Sequence, residues 1–487
     1  MEGSQRIMSA SVAAPRALSF PNRTRLLPRL GTSDRTSSLA AALSLHKMPL
    51  ELSLILVYVV AATVGDLKVG EVSVQIGAVP VFFTDITLIL LLLISFIRWP
   101  ARVLYWVSVG TGAGLISRGV WVLCLLAIVY FALAVPEYHL YALRDLAIFG
   151  YSLFFPLTYF AIRDRRDAAK VLWYFIYSSV ILAVIVLLQF AIGGVRGHLA
   201  LVDSVSASLY MNGIGEGVHS SFGRAILQLT NDDDASFAVF ALAALASYII
   251  LDRRWRRFHI LCAIVCFLAL AVATSRAAVV GLTLASAVTF ICLGAGYRVR
   301  HALFVAICAL TVIASSAMPH AIPGVNLMRG LRTSVLNALG GPSIDPTSEF
   351  RMTRWRYATD LWLGHPMLGV GFGCPIIPAG LVDENEGRGE YNVGMPHNTF
   401  LFLTARTGIV GLGVVLFCWI GVFRRLVRKF RGVRGPDELA MVNILMGMFG
   451  FAMFVLFFER PVTNAMFWIL MAVGARLAAY EEPGLVG

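Results

Sequence analysis

Residues 395–411, MPHNTFLFLTARTGIVG, join a long polar segment to a strongly apolar one. The polar segment ends at His397 and Asn398. The apolar run over 398–423 is long enough to cross a bilayer as a helix. Asn398 is suited to cap that helix, which would begin at Thr399. The junction therefore predicts a membrane helix that carries a His-Asn pair at its polar end.

The whole chain has the composition of a polytopic membrane protein. Its 487 residues are 58% hydrophobic and only 14% charged, with a mean hydropathy of +0.77, whereas a soluble domain is about one quarter charged. The net charge of +12 could suggest nucleic acid, but the charges lie in short clusters between apolar runs. We therefore exclude a nucleic-acid partner and expect membrane lipids to surround the fold.

The apolar runs predict an all-α membrane protein with about twelve transmembrane helices. The expected spans are 50–66, 81–97, 119–136, 144–162, 171–192, 235–250, 258–273, 277–295, 301–318, 398–423, 440–457 and 461–479. Basic connections fall on one side of this arrangement, at 98–102, 163–170, 252–257, 297–301 and 423–435. The positive-inside rule assigns that side, and with it both termini, to the cytoplasm.

The predicted organisation has four parts. Residues 1–48, rich in Ser and Arg, are expected to form a disordered basic cytoplasmic tail; a second hypothesis makes Met48 the true start. Residues 49–318 hold helices 1–9, residues 319–397 form a large external loop, and residues 398–487 hold helices 10–12 and a short cytoplasmic tail. A loop of that length is a candidate for function.

Arginines collect at the external ends of the predicted helices. Arg276, in ATSRAAVVGL, stands at a tight turn between two apolar runs, where a charge is costly unless it meets a polar partner. Arg224 precedes a helix, and Arg351 and Arg354 stand in EFRMTRWRYA. A guanidinium keeps its charge and matches phosphate oxygens in a bidentate way, which suits a lipid-linked phosphate or diphosphate. Snorkelling to headgroups, or ion pairs with carboxylates such as Glu459, is the alternative.

Other polar motifs of the external side have competing interpretations. His397 can exchange a proton near neutral pH, so it is a candidate general base or, alternatively, an interfacial residue. The run Asp232–Asp234 could hold a metal, but acids at a helix start also suit the helix dipole, and adjacent side chains diverge. We expect no metal there. The segment LGHPMLGVGFG, residues 363–373, predicts a turn and not a nucleotide cradle, because no strand precedes it.

Four stretches of the chain resemble the bacterial O-antigen ligase/O-antigen polymerase family of polytopic membrane glycosyltransferases. They are GRAILQLTNDDDASFAVFALA at 223–243, ALAVATSRAAVVGL at 269–282, RWRYATDLWLGHPMLGVGFG at 354–373 and PHNTFLFLTARTGIVGLG at 396–413. The resemblance implies a GT-C-like architecture in the bacterial inner membrane. It also implies transfer of a glycan from undecaprenyl diphosphate to an acceptor hydroxyl at the periplasmic face, with inversion and without metal or cofactor.

The resemblance also implies roles for particular residues. His397 and Arg276 would be catalytic, and Arg224 would bind the diphosphate. Substrate contacts would come from Arg351, Arg354 and Asn398. The stretch Thr-Asn-Asp-Asp-Asp departs from the Asn-Pro-Asn-like stretch that family members often carry before the sixth helix, and three acids there would repel a diphosphate unless they face away or pair with arginine.

Three functional classes remain open from the sequence. The first is the glycosyltransferase, whose acceptor is the lipid A–core for a ligase or a second lipid-linked repeat for a polymerase; we favour the polymerase of a surface or secreted polysaccharide. The second is a flippase or transporter of lipid-linked oligosaccharide, which predicts ionisable residues near the middle of membrane helices. The third is a scaffold among polysaccharide assembly proteins. The polar residues here collect at helix ends, which favours the first class.

Overall fold

The described residues form a helical protein with one short hairpin. The computed structural model describes residues 48–64, 73–76, 79–98, 114–211, 235–252, 255–273, 276–317, 346–378, 395–455 and 457–479. All of them belong to one unit, Leu45–Gly487. Helix dominates these ranges, which confirms the helical class. The predicted basic tail, up to residue 47, lies outside the described residues.

The elements follow one another in the order in which the sequence predicts its apolar runs. The helices are α1 Leu50–Val64, α2 Phe83–Arg98, α3 Gly114–Tyr138, α4 Leu140–Gly150, α5 Phe154–Ala161, α6 Arg165–Met211, α7 Ala235–Leu251, α8 Arg256–Ala273, α9 Arg276–Cys292, α10 Ala295–Ala317, α11 Pro346–Gly364, α12 Thr399–Val433, α13 Pro436–Ala452 and α14 Pro461–Ala479. Strands β1 (Ser73–Ile76) and β2 (Val79–Phe82) pair antiparallel, with Ser73 opposite Phe82.

Several helices have the length and composition of membrane spans. Among the described residues, four helices are long and apolar enough to cross a bilayer: Leu115–Tyr138, Arg165–Leu188, Thr399–Val433 and Pro461–Ala479. Shorter apolar helices cover Leu50–Val64, Phe237–Leu251 and Ala277–Cys292. The protein is therefore a membrane protein, while the count of twelve crossings and the GT-C-like architecture stay predictions.

The span expected as one helix over 144–162 contains a local change of helical geometry. Helix α4 ends at Gly150, a 3-10 turn covers Tyr151–Leu153, and α5 follows without a gap. Gly150, Tyr151, Leu153 and Phe154 all keep right-handed helical φ/ψ angles. Pro156, in the first turn of α5, is compatible with the change from one helical geometry to the other.

The centre of the bundle is formed by α7, α13 and α14, which bury almost every side chain. Helices α9 and α13 cross closely, because a Cβ on Gly281 would lie only 2.7 Å from the carbonyl oxygen of Gly447. Asn443 of α13 donates to the Ala243 carbonyl (3.0 Å) and accepts from the Thr289 hydroxyl. Outer helices such as α2 and α3 leave large apolar side chains exposed, as lipid contact requires.

The two ends of the bundle differ in chemistry. At one end, called the basic end, Arg98 pairs with Glu51 at 3.2 Å and Arg165 pairs with Glu438 at 2.9 Å. The opposite end, called the loop end, carries α11 and the start of α12. The positive-inside rule predicts that the basic end faces the cytoplasm.

Candidate functional site

Helix α12 is broken after its first two turns, at Gly408. This residue has φ 63° and ψ −164°, a conformation that essentially only glycine adopts. The break frees backbone groups that need partners in a medium of low polarity. Segment 365–374 supplies four of those partners. The hydrogen bonds are Ile409 N–H to Pro366 O (3.0 Å), Val410 N–H to Met367 O (3.3 Å), Val370 N–H to Ala405 O (2.8 Å) and Gly371 N–H to Arg406 O (3.0 Å).

The Gly-rich pattern of this segment follows from that close approach. Gly369 has φ 68°, and a Cβ there would lie 2.5 Å from the Ala405 carbonyl oxygen. On α12, the absence of a side chain at Gly411 leaves room for Thr407, whose hydroxyl donates to the Leu403 carbonyl at 2.8 Å. The predicted turn is therefore a segment that docks into a broken helix.

A buried ion pair holds the docked segment from below. The Nε of Arg406 lies 3.1 Å from Oδ2 of Asp145, and the two side chains are 1% and 2% exposed. Arg406 also donates to the carbonyls of Gly371 and Cys374, while Asp145 accepts from the Gly373 N–H at 2.7 Å. The pair thus connects α4, α12 and the Gly-rich segment at the loop end.

His397 and Asn398 form a fixed entry into α12. The Asn398 side chain accepts from the N–H groups of Phe400 (3.0 Å) and Leu401 (3.1 Å), which confirms the predicted N-cap and a helix start at Thr399. His397 has φ 50°, a left-handed conformation that costs a non-glycine residue roughly 1–2 kcal/mol. Strain of this kind persists only where surrounding contacts enforce it.

Arg354 supplies one of those enforcing contacts. Its guanidinium donates to the Met395 carbonyl at 3.1 Å, and the side chain is only 1% exposed. Met395 precedes His397 by two residues. Arg354, predicted as a substrate contact, therefore ties the approach to His397 onto α11. Arg351, one turn earlier on α11, is partly buried.

Below His397, the first residue of α12 meets a buried carboxyl group. The Thr399 hydroxyl lies 3.2 Å from Oε2 of Glu459 and also accepts from the Phe457 N–H at 2.9 Å. Glu459 stands in the connection between α13 and α14, outside the expected spans. It is 6% exposed, and its Oε1 has no hydrogen-bond partner among the described residues. Burial raises the pKa of the Glu459 carboxyl to about 7, with Thr399 and Arg144 acting in the opposite direction.

Arg144 adds a second cation to this end of the bundle. It lies within electrostatic range of Asp145, Arg406 and Glu459. Two arginines and two carboxyl groups are therefore grouped under the start of α12. Asp145 pairs directly with Arg406, so part of this buried charge is neutralised within the group.

Arg276, predicted as catalytic, opens α9 at the same end as His397. Helices α9 and α13 run antiparallel, because Thr289 meets Asn443 while Gly281 meets Gly447 and Gly450. Arg276 precedes Gly281 by five residues, or about 7.5 Å of helix rise. The backbone of Arg276 therefore lies level with the end of α13, where the Val455 carbonyl accepts from the Thr399 hydroxyl at 3.1 Å.

Arg224 and Asp232–Asp234, which the sequence also singles out, lie outside the described residues, as do parts of the large loop. Within the described ranges, no three His, Cys, Asp or Glu side chains group as metal ligands.

Sequence reasoning missed Asp145 and Arg406 and treated Glu459 only as an ion-pair partner for arginine. The available signal was weak but present. Arg406 stands within an apolar run, and Asp145 and Glu459 stand at the ends of two others, where a charge requires a partner. The sequence does not show which charges meet.

Comparisons with known proteins identify one matching family. A family model described as O-antigen ligase matches residues 261–418, which contain α9, α10, α11 and the part of α12 up to residue 418. No curated protein matches the chain.

Proposed function

We propose, on the match of residues 261–418 to a family model described as O-antigen ligase, that this membrane protein transfers a glycan from undecaprenyl diphosphate to an acceptor sugar hydroxyl at the periplasmic face of the inner membrane. The match supports an O-antigen ligase-type membrane glycosyltransferase in general; the donor, the acceptor and the orientation are the proposal. One observation carries it. The matched range holds Arg276 and His397, and both stand at the loop end, at the level where α13 ends.

The proposed reaction is a single inverting displacement. The acceptor oxygen attacks the anomeric carbon from the face opposite the diphosphate, and the bond between that carbon and the diphosphate oxygen breaks. The hydroxyl proton passes to the imidazole of His397, which can accept it near neutral pH. Undecaprenyl diphosphate leaves as an anion that is already stable, so the step calls for no metal.

Arginine is suited to the charge that develops on the leaving group. In the proposal, Arg276 contacts the diphosphate and stabilises it as the bond breaks, and Arg224 adds a second cation. A guanidinium at the end of a membrane helix can meet the lipid's headgroup without leaving the interface. Arg351, partly buried on α11, is available for a sugar or phosphate contact.

Two of the expected substrate contacts are better explained as positioning residues. Arg354 is almost fully buried and occupied by the Met395 carbonyl, and the Asn398 oxygen is occupied by two backbone N–H groups. We propose that both hold His397 in place rather than contact the sugar. Catalysis depends on such placement, because a displacement of about 1 Å can cost 100-fold in rate.

The broken helix gives little support to the transporter alternative. Transporters use discontinuous helices to direct freed backbone groups at a substrate or ion. Here two N–H groups and two carbonyls freed near Gly408 are paired with residues 366–371. The break therefore serves to dock the loop, which is consistent with a fixed catalytic site.

The experiment that tests the proposal measures release of undecaprenyl diphosphate by purified protein given a lipid-linked glycan and an acceptor. His397→Asn and His397→Gly are the decisive variants, because both residues accept a left-handed backbone and neither carries an imidazole. We expect release to fall by about 100-fold or more, the size of a general-base contribution, with folding retained.

His139→Asn is the matched control. His139 also has a positive φ, 46°, stands in the turn between α3 and α4, and is exposed. This variant should release lipid diphosphate at the wild-type rate. Full activity in both His397 variants would remove the general base from the proposal, and movement of the lipid-linked glycan across the bilayer without release would favour the transporter. A ladder of products indicates a polymerase, and one transfer per acceptor indicates a ligase.

A further inference from the structure

A cavity of about 190 Å³ lies at the basic end, far along α12 from His397. Its walls come from the end of α7, the end of α9, the start of α10 and the last turn of α12. The residues that line it include Leu251, Cys292, Tyr297, Phe430, Arg431 and Arg434. At roughly 30 Å³ per water molecule, this volume corresponds to about six waters, which is enough for a phosphate group with its ester carbons.

The cavity carries positive charge from two arginines. Arg431 and Arg434 belong to the stretch 423–435, which holds six Lys or Arg residues and no acid. The next two acids are already occupied: Glu438 by Arg165 at 2.9 Å, and Asp437 by the Tyr248 hydroxyl at 2.7 Å. No ion pair with Arg431 or Arg434 occurs in the described part of the chain.

Backbone dipoles add to this charge. Helix α10 begins at Ala295 beside the cavity, so its positive dipole end lies there, although the N–H groups of Tyr297 and Arg298 already donate to the Gly294 carbonyl. The opposing dipole of α9 is partly neutralised, because Arg298 Nε donates to the carbonyls of Phe290 (3.0 Å) and Leu293 (2.9 Å). The cavity is therefore suited to an anion.

Apolar surface beside the cavity indicates what kind of anion. Phe290 and Ile291 are 44% and 64% exposed on the last turn of α9, and Val299 and Leu303 are 72% and 61% exposed on the first turns of α10. Such exposed apolar side chains are suited to contact with acyl chains. A lipid whose phosphate lies in the cavity could therefore place its acyl chains directly against them.

We propose that this cavity binds the phosphate of an anionic phospholipid from the leaflet at the basic end. Arg431 and Arg434 contact the phosphate oxygens, the positive dipole end of α10 lies beside it, and the acyl chains lie against α9 and α10. Basic pockets between membrane helices are known to bind such headgroups. This proposal is independent of the reaction at the loop end.

Cysteine protection tests the proposal in the intact protein. Cys292 lines the cavity, whereas Cys374 lies at the loop end, and both are partly exposed. We would add phosphatidylglycerol to the protein in a zwitterionic detergent and follow alkylation by maleimide at each cysteine with mass spectrometry. Alkylation of Cys292 should slow severalfold while that of Cys374 stays unchanged. Equal effects at both cysteines, or none at Cys292, would overturn the proposal.

Matched charge variants test the two arginines. The double variant Arg431→Gln/Arg434→Gln should bind phosphatidylglycerol about 30-fold more weakly by native mass spectrometry, since each cation near an anionic lipid contributes roughly fivefold. The double variant Arg424→Gln/Arg428→Gln removes the same charge from positions of the same helix that do not line the cavity, and it should bind like the wild type. If both double variants bound the lipid equally weakly, the lipid would be attracted by charge without a specific site. If inorganic phosphate protected Cys292 from alkylation as strongly as phosphatidylglycerol does, the site would be assigned to a free anion.

Discussion

Raising the pH through neutrality should destabilise this protein through one carboxyl group, Glu459. Burial raises its pKa from 4.5 to about 7 in the folded protein. The folded state therefore keeps a proton that the unfolded chain loses between about pH 4.5 and 7. The stabilisation is complete below the pKa that Glu459 has in the unfolded chain, and it is lost as the pH rises through the pKa that Glu459 has in the folded protein. A shift of about 2.5 units corresponds to roughly 3 kcal/mol, at 1.36 kcal/mol per unit.

The substitution Glu459→Gln isolates this contribution, because glutamine has nearly the shape of the protonated carboxyl and does not titrate. Thermal unfolding of both proteins in detergent, followed by tryptophan fluorescence from pH 5 to 8.5, gives the two profiles. We expect similar stability near pH 5 and a more stable variant at pH 8, by up to about 3 kcal/mol. Glu137→Gln, at an exposed position of α3, should leave the wild-type profile unchanged.

Two results would refute this reasoning. Parallel profiles for wild type and Glu459→Gln would mean that the carboxyl does not titrate in this range. A Gln variant that is less stable at pH 8 would mean that Glu459 is ionised in the folded protein and paired with Arg144, so that attraction outweighs desolvation.

Three further substitutions test the architecture around α12 by thermal or denaturant unfolding. Arg406→Ala leaves a buried carboxylate unpaired and should cost about 3–5 kcal/mol, whereas Arg428→Ala, at an exposed position of the same helix, should cost less than about 0.5 kcal/mol; equal losses would contradict the buried pair. In Gly408→Ala the alanine would have to adopt a left-handed backbone, and its Cβ would clash with segment 365–374. We expect the free energy of unfolding to fall by at least about 1–2 kcal/mol. Gly413→Ala, with open space around it, should be neutral or stabilising, and similar costs at both glycines would argue against the break. Asn398→Ala should lower the free energy of unfolding by about 1 kcal/mol, and Asn398→Asp should lower it much less. No loss in Asn398→Ala would show that the cap does not stabilise the fold.

Features set by the local sequence could be predicted well. Each expected span coincides over most of its length with one or more helices, because a run of about 20 apolar residues has few other stable conformations in lipid. The cap at Asn398 was predictable for the same local reason, since it stands where polar sequence becomes an apolar helix. Helix breaks were less predictable. The 3-10 turn at Tyr151–Leu153 and the break at Gly408 occur inside continuous apolar runs, where composition gives no warning.

Features that depend on distant contacts could not be read from the sequence. Asp145 and Arg406 are 261 residues apart, and only the fold shows that they neutralise each other. The Gly-rich segment 363–373 was predictable as a turn, but its partner was not, since backbone hydrogen bonds carry no side-chain signature. For the candidate site, His397 and Arg276 could be proposed from chemistry and resemblance. The burial of Arg354 and Glu459, which decides their roles, is a property of packing.

The geometry of α12 explains why the candidate base stands before a short, separate piece of helix. Residues 399–407 are held at both ends: Asn398 and Thr399 fix the start, while segment 365–374 and the Asp145–Arg406 pair fix the end. The break at Gly408 ends the continuous helix there, and the buried contacts attach the first piece to the loop end. His397 is then positioned by elements of the loop end. Substitutions in segment 365–374 or in the Asp145–Arg406 pair should therefore change the reaction rate through the position of the imidazole, and not through its chemistry.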